Sequence, residues 1–369
     1  MTTGPQRKLR IAIFHATLPE PGRKPGGVEV AVHRLANALT EHARCEVTVF
    51  SCGARPRDAL YRHERMLPPR FAQSRFLRLL VLPFLMNFVD FSRFDVLHLH
   101  GDDWFFLRRR LPTVRTLHGS ALQEARFAKT LRRKLLQYAV SPLEHLASAL
   151  ATMSLAVGDE TQREYRSHAV MDNGVDTRLF HAAEKSAEPL LFYVGTWQGR
   201  KRGEVAYRTF VEHVRPRWPG ALLYMACDHV PRHDGVVDGG FPDQETLARW
   251  LARAWVFIYP SVYEGFGIPY IEALASGTAI VTTRNSGAEY VLRDGQYGII
   301  CDDADFGPAI ARLIEDRELR AGMERKGAHY AERFSWQRIA ERHVEAYGAV
   351  LEARSRGSRV APELRPEQP

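Results

Sequence analysis

Two glutamates, Glu264 and Glu272, are separated by seven residues in the stretch SVYEGFGIPYIEALASG, Ser261 to Gly277. The Gly-Phe-Gly between them keeps the backbone open to a small polar ligand, and Pro269 suits the first turn of a helix. Glu264 then falls in the loop ahead of that helix and Glu272 on the helix itself. Two separate jobs in one pocket fit this arrangement. Shared acid–base work on a glycosidic bond needs carboxylates about 5–10 Å apart, which the spacing leaves open. A second cluster is cationic: Arg200, Lys201 and Arg202 lie in a loop bounded by Gly195 and Gly203. Arg offers a rigid fork of donors and Lys a mobile charge, a set suited to a diphosphate; a solvated charge run is the plainer reading. The pair Gly26-Gly27 precedes a helix, where a phosphate could reach free N–H groups; a flexible cap is the alternative. Nothing matches GxxxxGK[ST], which argues against that class of ATPase. His15, His100, Asp102 and His118 each follow an apolar run. Of His98 and His100, along one strand end, only His100 is expected to face a site. Asp102, Asp103 and Trp104 could hydrogen-bond and stack on a sugar, or serve a turn and the core.

These residues need elements to hold them. Short apolar runs read as strands at Leu9–Phe14, Glu46–Phe50, Phe94–His98, Thr113–Leu117 and Thr152–Val157. Helical spacing covers Val28–His42, one long stretch from Leu122 to Ala149, and Asp159–Ser167 with Asp159 as cap. Arg55–Arg70 is polar and irregular. Phe71–Phe91 is strongly apolar, with Pro83 interrupting any helix. After the polar stretch Ala182–Pro189 the pattern restarts, with strands at Leu190–Val194, Ala221–Ala226, Val256–Tyr259 and Ala279–Thr282. Helices fit Glu204–Val214, Gln244–Ala254, Pro269–Ser276, Asp305–Ile314 and Arg317–Phe334, while Cys227–Gly240 reads as loop. The class is α/β, in two Rossmann-like halves joined near residue 180. The expected division is 1–180, 181–334, a C-terminal helix 335–353, and a disordered tail 354–369. Such sheets bind ligands at the carboxyl ends of their strands, and two facing sheets make a cleft. The candidate residues fall just after strands, so the site is expected in that interdomain cleft.

Composition narrows the classes. Hydrophobic residues at 45% and charged residues at 25% are those of a soluble globular chain, not a coiled coil or a disordered one. The formal charge of +8 favours anionic partners. No zinc-finger or RNP pattern supports nucleic acid as the partner. Four cysteines, none in a CxxC pair, fit a reducing compartment and neither a zinc site nor a disulfide scaffold. The N-terminus lacks a signal-peptide apolar stretch, and no run reaches the ~18 apolar residues of a membrane span. The expectation is a cytoplasmic protein. Phe71–Phe91, with Arg75 and Arg78, and the cationic surface from Arg126 to Lys134 allow peripheral contact with an anionic membrane at its inner face.

The Glu264–Glu272 segment resembles the EX7E motif of retaining nucleotide-sugar glycosyltransferases of family four, which have the GT-B fold. The likeness extends in order through the GG loop, FDVLHLH, TLHG, NGVD, YVGTWQGRKRG, the whole of SVYEGFGIPYIEALASGTAIVTT, and NSGAEYVLRDGQYGII. It covers roughly residues 9 to 345. It implies two Rossmann-like domains, the first binding the acceptor and the second a nucleoside-diphosphate-sugar, with the last helix returning toward the first. By motif, Glu264 lies beside the transferred sugar and Glu272 binds the ribose. Phe266, Gly267 and Ile268 frame sugar and phosphate, and Gly27 approaches the diphosphate. His118 contacts the sugar and supports the transition state, while Ser286 and Glu289 flank the donor loop. Gly195, Arg200, Lys201 and Arg202 complete the donor side; His100, Asp102 and Trp104 lie on the acceptor side. The family often has Arg after the strand-end glycine and Lys before the later one. Here Thr196 follows Gly195 and Arg202 precedes Gly203, so Arg200 or Lys201 supplies the charge. The implied reaction is retaining transfer to a hydroxyl of a saccharide, lipid-linked or natural-product acceptor, with no metal or other cofactor. A noncatalytic nucleotide-sugar or glycan-binding protein is the alternative.

Overall fold

The computed structural model describes residues 7–20, 26–68, 74, 76–128 and 130–358. The chain divides into two domains. One runs to Gly174 and resumes at Trp336; the other is Val175–Ser335.

The first domain contains β1 (Arg10–Phe14), α1 (Gly27–Glu41), β2 (Glu46–Ser51), β3 (Arg62–Arg65), α2 (Leu82–Leu85), β4 (Val96–Leu99), β5 (Thr113–Leu117), α3 (Ala121–Arg126), α4 (Leu131–Leu150), β6 (Met153–Ala156), α5 (Asp159–Tyr165) and β7 (Ala169–Val170). Its sheet has the order β3-β2-β1-β4-β5-β6-β7, with every neighbour parallel. A parallel sheet is covered on both faces, so its central strands are continuous apolar runs. Ile11 to Phe14 of β1 and Val96 to Leu99 of β4 are indeed buried. Strand order reverses between β1 and β4, the switch point at which such sheets open a crevice.

Several local expectations are corrected. Arg55–Arg70 is not wholly irregular, since Arg62–Arg65 forms the edge strand β3. An edge strand of charged residues carries no apolar alternation to read. The long helix read from Leu122 to Ala149 is two helices. Ser120 and Thr130 each accept from a backbone N–H three residues on and start α3 and α4 separately. Asp159 is the first residue of α5, and Gly158 is its cap. Pro83 is the second residue of α2, directly after a π-helical turn at Leu77–Val81, so it lies where the helical ladder changes from π to α. Residues 71–73 and 75 lie outside the described residues.

The second domain contains β8 (Leu190–Val194), α6 (Gly203–Thr209), β9 (Leu222–Ala226), β10 (Val236–Asp238), α7 (Gln244–Arg253), β11 (Val256–Tyr259), α8 (Ile268–Ala275), β12 (Ala279–Thr283), α9 (Ser286–Val291), β13 (Ile299–Cys301), α10 (Asp303–Glu315) and α11 (Arg317–Ala331). Its parallel sheet runs β10-β9-β8-β11-β12-β13, reversing between β8 and β11. The three-residue strands β10 and β13 are too short for a period to show; β10 lies within the segment read as loop.

The division falls at Gly174/Val175 rather than after residue 180, for a local reason. The Val175 N–H donates to the Phe334 carbonyl at 2.7 Å, and Val175 bridges Ser335, so the entering chain is tied to the departing one. The last helix, α12 (Trp336–Ser355), belongs to the first domain. Its apolar face, including Ile339, Ala346, Tyr347 and Val350, packs in one cluster with Val32, Leu35 and Leu39 of α1. The helix runs past residue 353, and residues 359–369 of the expected tail lie outside the described residues.

Candidate active site

In the second domain, the loop after β11 meets the loop after β8. The Val262 N–H donates to the Arg200 carbonyl at 2.9 Å, and this draws the cationic loop against the acidic one. Glu264 is 6% exposed. Three donors converge on its Oε1: the Tyr259 hydroxyl at 2.7 Å, the Ser261 hydroxyl at 2.9 Å and the Arg200 guanidinium at 2.6 Å. Burial alone would raise the Glu264 carboxyl. Lys201 and Arg200, with the hydrogen bonds, outweigh it and hold the carboxyl below its ordinary value. Glu264 is therefore a fixed negative charge. Glu272 differs. Half-buried on α8, it accepts no hydrogen bond from a side chain among the described residues, and burial pushes its carboxyl up to about 8 against the pull of Lys201.

The backbone here requires glycine twice. Gly267 has φ +93, and a Cβ on it would stand 2.3 Å from the Tyr270 ring. Gly287, at the start of α9, would bring a Cβ within 2.8 Å of the Glu264 Cβ. Ser286 donates its hydroxyl to the Glu264 carbonyl at 3.3 Å, and Arg284 pairs with Glu289 at 2.8 Å. Phe266 is buried against Tyr290 and Phe334, and Ile268 opens α8.

The three basic residues separate. Arg200 faces Glu264 and also donates to the Tyr263 carbonyl at 2.6 Å. The Lys201 ammonium lies 5.5 Å from the centroid of the Tyr259 ring. Arg202 turns away. Its guanidinium forms two 2.7 Å bonds to Asp303 and also holds the Pro260 carbonyl and Thr283. It is a fastener between the loop and the start of α10. Gly195 allows the close approach of Tyr193, whose hydroxyl donates to the carbonyls of Thr196 and Lys201. Sequence reasoning missed Tyr259, Ser261 and Asn285. The Asn285 amide holds the Ser261 carbonyl and the Tyr270 hydroxyl. Only the strand-end position of these residues marks them beforehand.

In the first domain, His15, His100 and His118 follow the adjacent strands β1, β4 and β5. His15 Nδ1 donates to the His100 carbonyl at 2.9 Å, and His100 Nδ1 meets His118 Nε2 at 2.9 Å. His98 and His100 do not point apart. Residues two apart on a strand share a face, and their ring centroids are 4.0 Å apart. His98 is held between Tyr347 and Thr116. Burial drives every one of these imidazoles below its ordinary value, and His118 falls to about 3 with His15, His343 and Arg115 adding to the effect. The group is neutral at physiological pH. In the His100–His118 bond one ring therefore donates and the other accepts. His100 Nε2 is buried without a hydrogen-bond partner among the described residues.

Asp102 adopts φ 54 near His15, and burial raises its carboxyl. Trp104, expected on the acceptor side, is 5% exposed and packs with Ala121, Val140 and Ala147. Burial leaves its ring no open face for a sugar. Its neighbour Asp103 is buried between Arg109 and Arg115, both at 2.9 Å. Gly27 begins α1, and a Cβ there would meet nothing within 4 Å. Glu29 already accepts from the Gly26 N–H at 3.2 Å, so a carboxylate caps this terminus.

Comparison with known proteins decides the family. Residues 25–179 match the model of Glycosyltransferase Family 4, and residues 234–330 match that of Glycosyl transferases group 1. The chain is a GT-B glycosyltransferase related to family four. As such a glycosyltransferase, it uses a nucleotide-sugar and transfers the sugar to an acceptor. It is 26% identical over 399 residues to D-inositol 3-phosphate glycosyltransferase of Paenarthrobacter aurescens, covering 91% of this chain and 96% of that protein. Among solved structures, sucrose-phosphate synthase of Thermosynechococcus elongatus aligns with a TM-score of 0.75 at 19% identity, over 94% of this chain and 100% of that one. Anabaena HepE in complex with UDP and glucose aligns at 0.68 and 17%, over 92% and 99%. No helix of this glycosyltransferase, among its described residues, is long and apolar enough to cross a membrane.

Proposed function

We propose that this glycosyltransferase works with retention, and that its second domain holds the donor through Arg200, Lys201 and Glu272. The observation carrying the reading is the contrast between two carboxyls. Glu264 is ionised and held by three donors, whereas Glu272 has no side-chain hydrogen bond among the described residues and is ready for the paired hydroxyls of a ribose. Phe266, Gly267 and Ile268 bring backbone groups to the sugar and phosphates. Gly195 lets the diphosphate close to backbone.

As the nucleoside diphosphate departs, positive charge develops at the anomeric carbon. The fixed Glu264 carboxylate stabilises that charge, and Arg200 and Lys201 stabilise the leaving phosphates. Donor phosphates compete with Glu264 for Arg200, so binding frees Glu264 toward the sugar. Neutral His118, oriented by His100, donates to or accepts from a sugar hydroxyl without adding charge. Asp102 and His100 serve the acceptor side. Attack comes from the face that the diphosphate leaves, with no covalent intermediate. Arg202 takes no part in phosphate binding. The acceptor presents a hydroxyl on a saccharide, lipid or natural-product scaffold. The enzyme is cytoplasmic, with peripheral contact to the inner face of the membrane, and needs no metal.

The test is initial transfer rate at saturating donor for Glu264→Gln, with melting to check folding. A loss on the order of 10²-fold is expected, about 2.7 kcal/mol of transition-state stabilisation, at nearly unchanged nucleotide affinity. Full turnover in the variant overturns the assignment. Turnover persisting in EDTA is expected; loss restored by Mg²⁺ refutes metal independence.

A further inference from the structure

Exposed large apolar side chains concentrate on one stretch of the first domain. Helix α4 carries two apolar faces. Leu136, Val140, Leu143 and Ala147 face inward, in a cluster with Trp104 and with Leu79 and Phe105 from neighbouring segments. The opposite face presents Leu131 (72% exposed), Leu135 (60%), Tyr138, Leu146 and Leu150, again at helical spacing. A helix on a globular protein ordinarily turns polar residues to water. The segments that meet the inner face of α4 expose their own apolar residues: Phe76, Phe84, Phe88 (71%) and Leu107 (62%). Phe84 and Phe88 pack edge to face at 5.5 Å, and Asn87 accepts from the Leu107 N–H, so the two loops form one rigid rim.

The charge around this surface is predominantly positive, its acids being Asp90, which is exposed, and Glu124, which pairs with Arg133 at 3.0 Å. Arg132, Arg133 and Lys134 are exposed in the first turn of α4, with Arg126 at the end of α3 and Arg108 and Arg110 beyond Leu107. The one acid of α4, Glu144, turns inward to accept from the Tyr165 hydroxyl at 2.5 Å. Apolar side chains ringed mostly by cations complement a surface that is negative outside and apolar beneath.

We propose that the outer face of α4, with Phe84, Phe88 and Leu107, docks on an anionic lipid bilayer. The expected contact on Phe71–Phe91 is thereby narrowed to its exposed residues and extended to α4. Leu82, Met86 and Phe91 are core residues, and the larger contribution comes from a helix whose outward leucines the sequence does not distinguish from its inward ones. The same domain carries His118 at the start of the loop leading into α3. Docking therefore brings lipid-linked hydroxyls to the acceptor side; only this consequence rests on the proposed function.

The test is cosedimentation of the full chain with vesicles of phosphatidylcholine alone and with ~30% phosphatidylglycerol, without donor or acceptor, alongside sedimentation velocity. Binding is expected only to the anionic vesicles, falling at high salt as surface charge is screened. Leu135→Glu/Leu146→Glu, on exposed positions, should lower partitioning more than about tenfold at unchanged melting temperature. Arg132→Gln/Lys134→Gln should lower it roughly 25-fold, about fivefold per cation. Absence of binding at low salt, or binding indifferent to both double variants, overturns the proposal. So does a wild-type dimer that the leucine variant dissociates without vesicle binding, which assigns the face to a second copy.

Discussion

Glu272 has a testable signature in its titration. Its carboxyl titrates near 8 in the folded protein against an ordinary 4.5. Between those values the folded state binds more protons than the unfolded one, so stability from this site falls as pH rises through that window and is flat above it. Glu272→Gln removes the dependence. Melting curves should show the variant more stable than wild type near pH 9, with the gap closing near pH 4. Above pH 8, where the carboxyl is ionised, Glu272→Ala should weaken nucleotide-sugar binding roughly ten- to 150-fold by calorimetry, the worth of a charge-assisted bond, and less at neutral pH. His118 predicts the reverse of a titrating base. Held near 3, it stays neutral down to about pH 5, so kcat should show no imidazole limb between pH 5 and 8. A limb near pH 6 that His118→Ala abolishes contradicts this.

At the scale of elements, the loop after β8 separates residues adjacent in sequence. Arg202→Ala should lower stability by about 1–2 kcal/mol through loss of the Asp303 fork and the Pro260 bond. It should leave nucleotide affinity nearly unchanged, whereas Arg200→Ala should weaken affinity and keep the fold. Thermal melting and calorimetry on both variants check the distinction. This separation also marks the limit of sequence reading. The central strands of both sheets were legible because parallel strands are continuous apolar runs, and the carboxyl-end positions of His15, His100, His118 and Glu264 follow from those runs. Which cation faces the acid was not legible, because it depends on the left-handed backbone at Arg202 and on Asp303, a hundred positions away in the chain. Trp104 had the composition of a sugar platform, but the packing of α4 makes it core. The break between α3 and α4 rests on one cap, Thr130, inside a pattern that otherwise reads as continuous helix.

For the whole molecule, the decisive feature is that the second domain is inserted within the first. Val175 and Ser335 bridge each other, and the chain resumes as α12 against α1. The isolated segment Val175–Ser335 should therefore fold cooperatively. Truncation after Ser335 should abolish the cooperative melting of the first domain, because it removes Tyr347 from His98 and strips the α1 face of its cover. Calorimetry on the two fragments tests both outcomes. Gly174 sits at this junction, where an added Cβ would stand 2.4 Å from the Trp336 ring. The same connectivity has a consequence during synthesis. The ribosome delivers β1 to β7 first, yet the helix that closes their core arrives last. The second domain completes its own core in between. For that interval the apolar face of α1 is exposed on the nascent chain, so a slowly translated or prematurely terminated message should yield a chaperone-bound product whose second half is already protease-resistant.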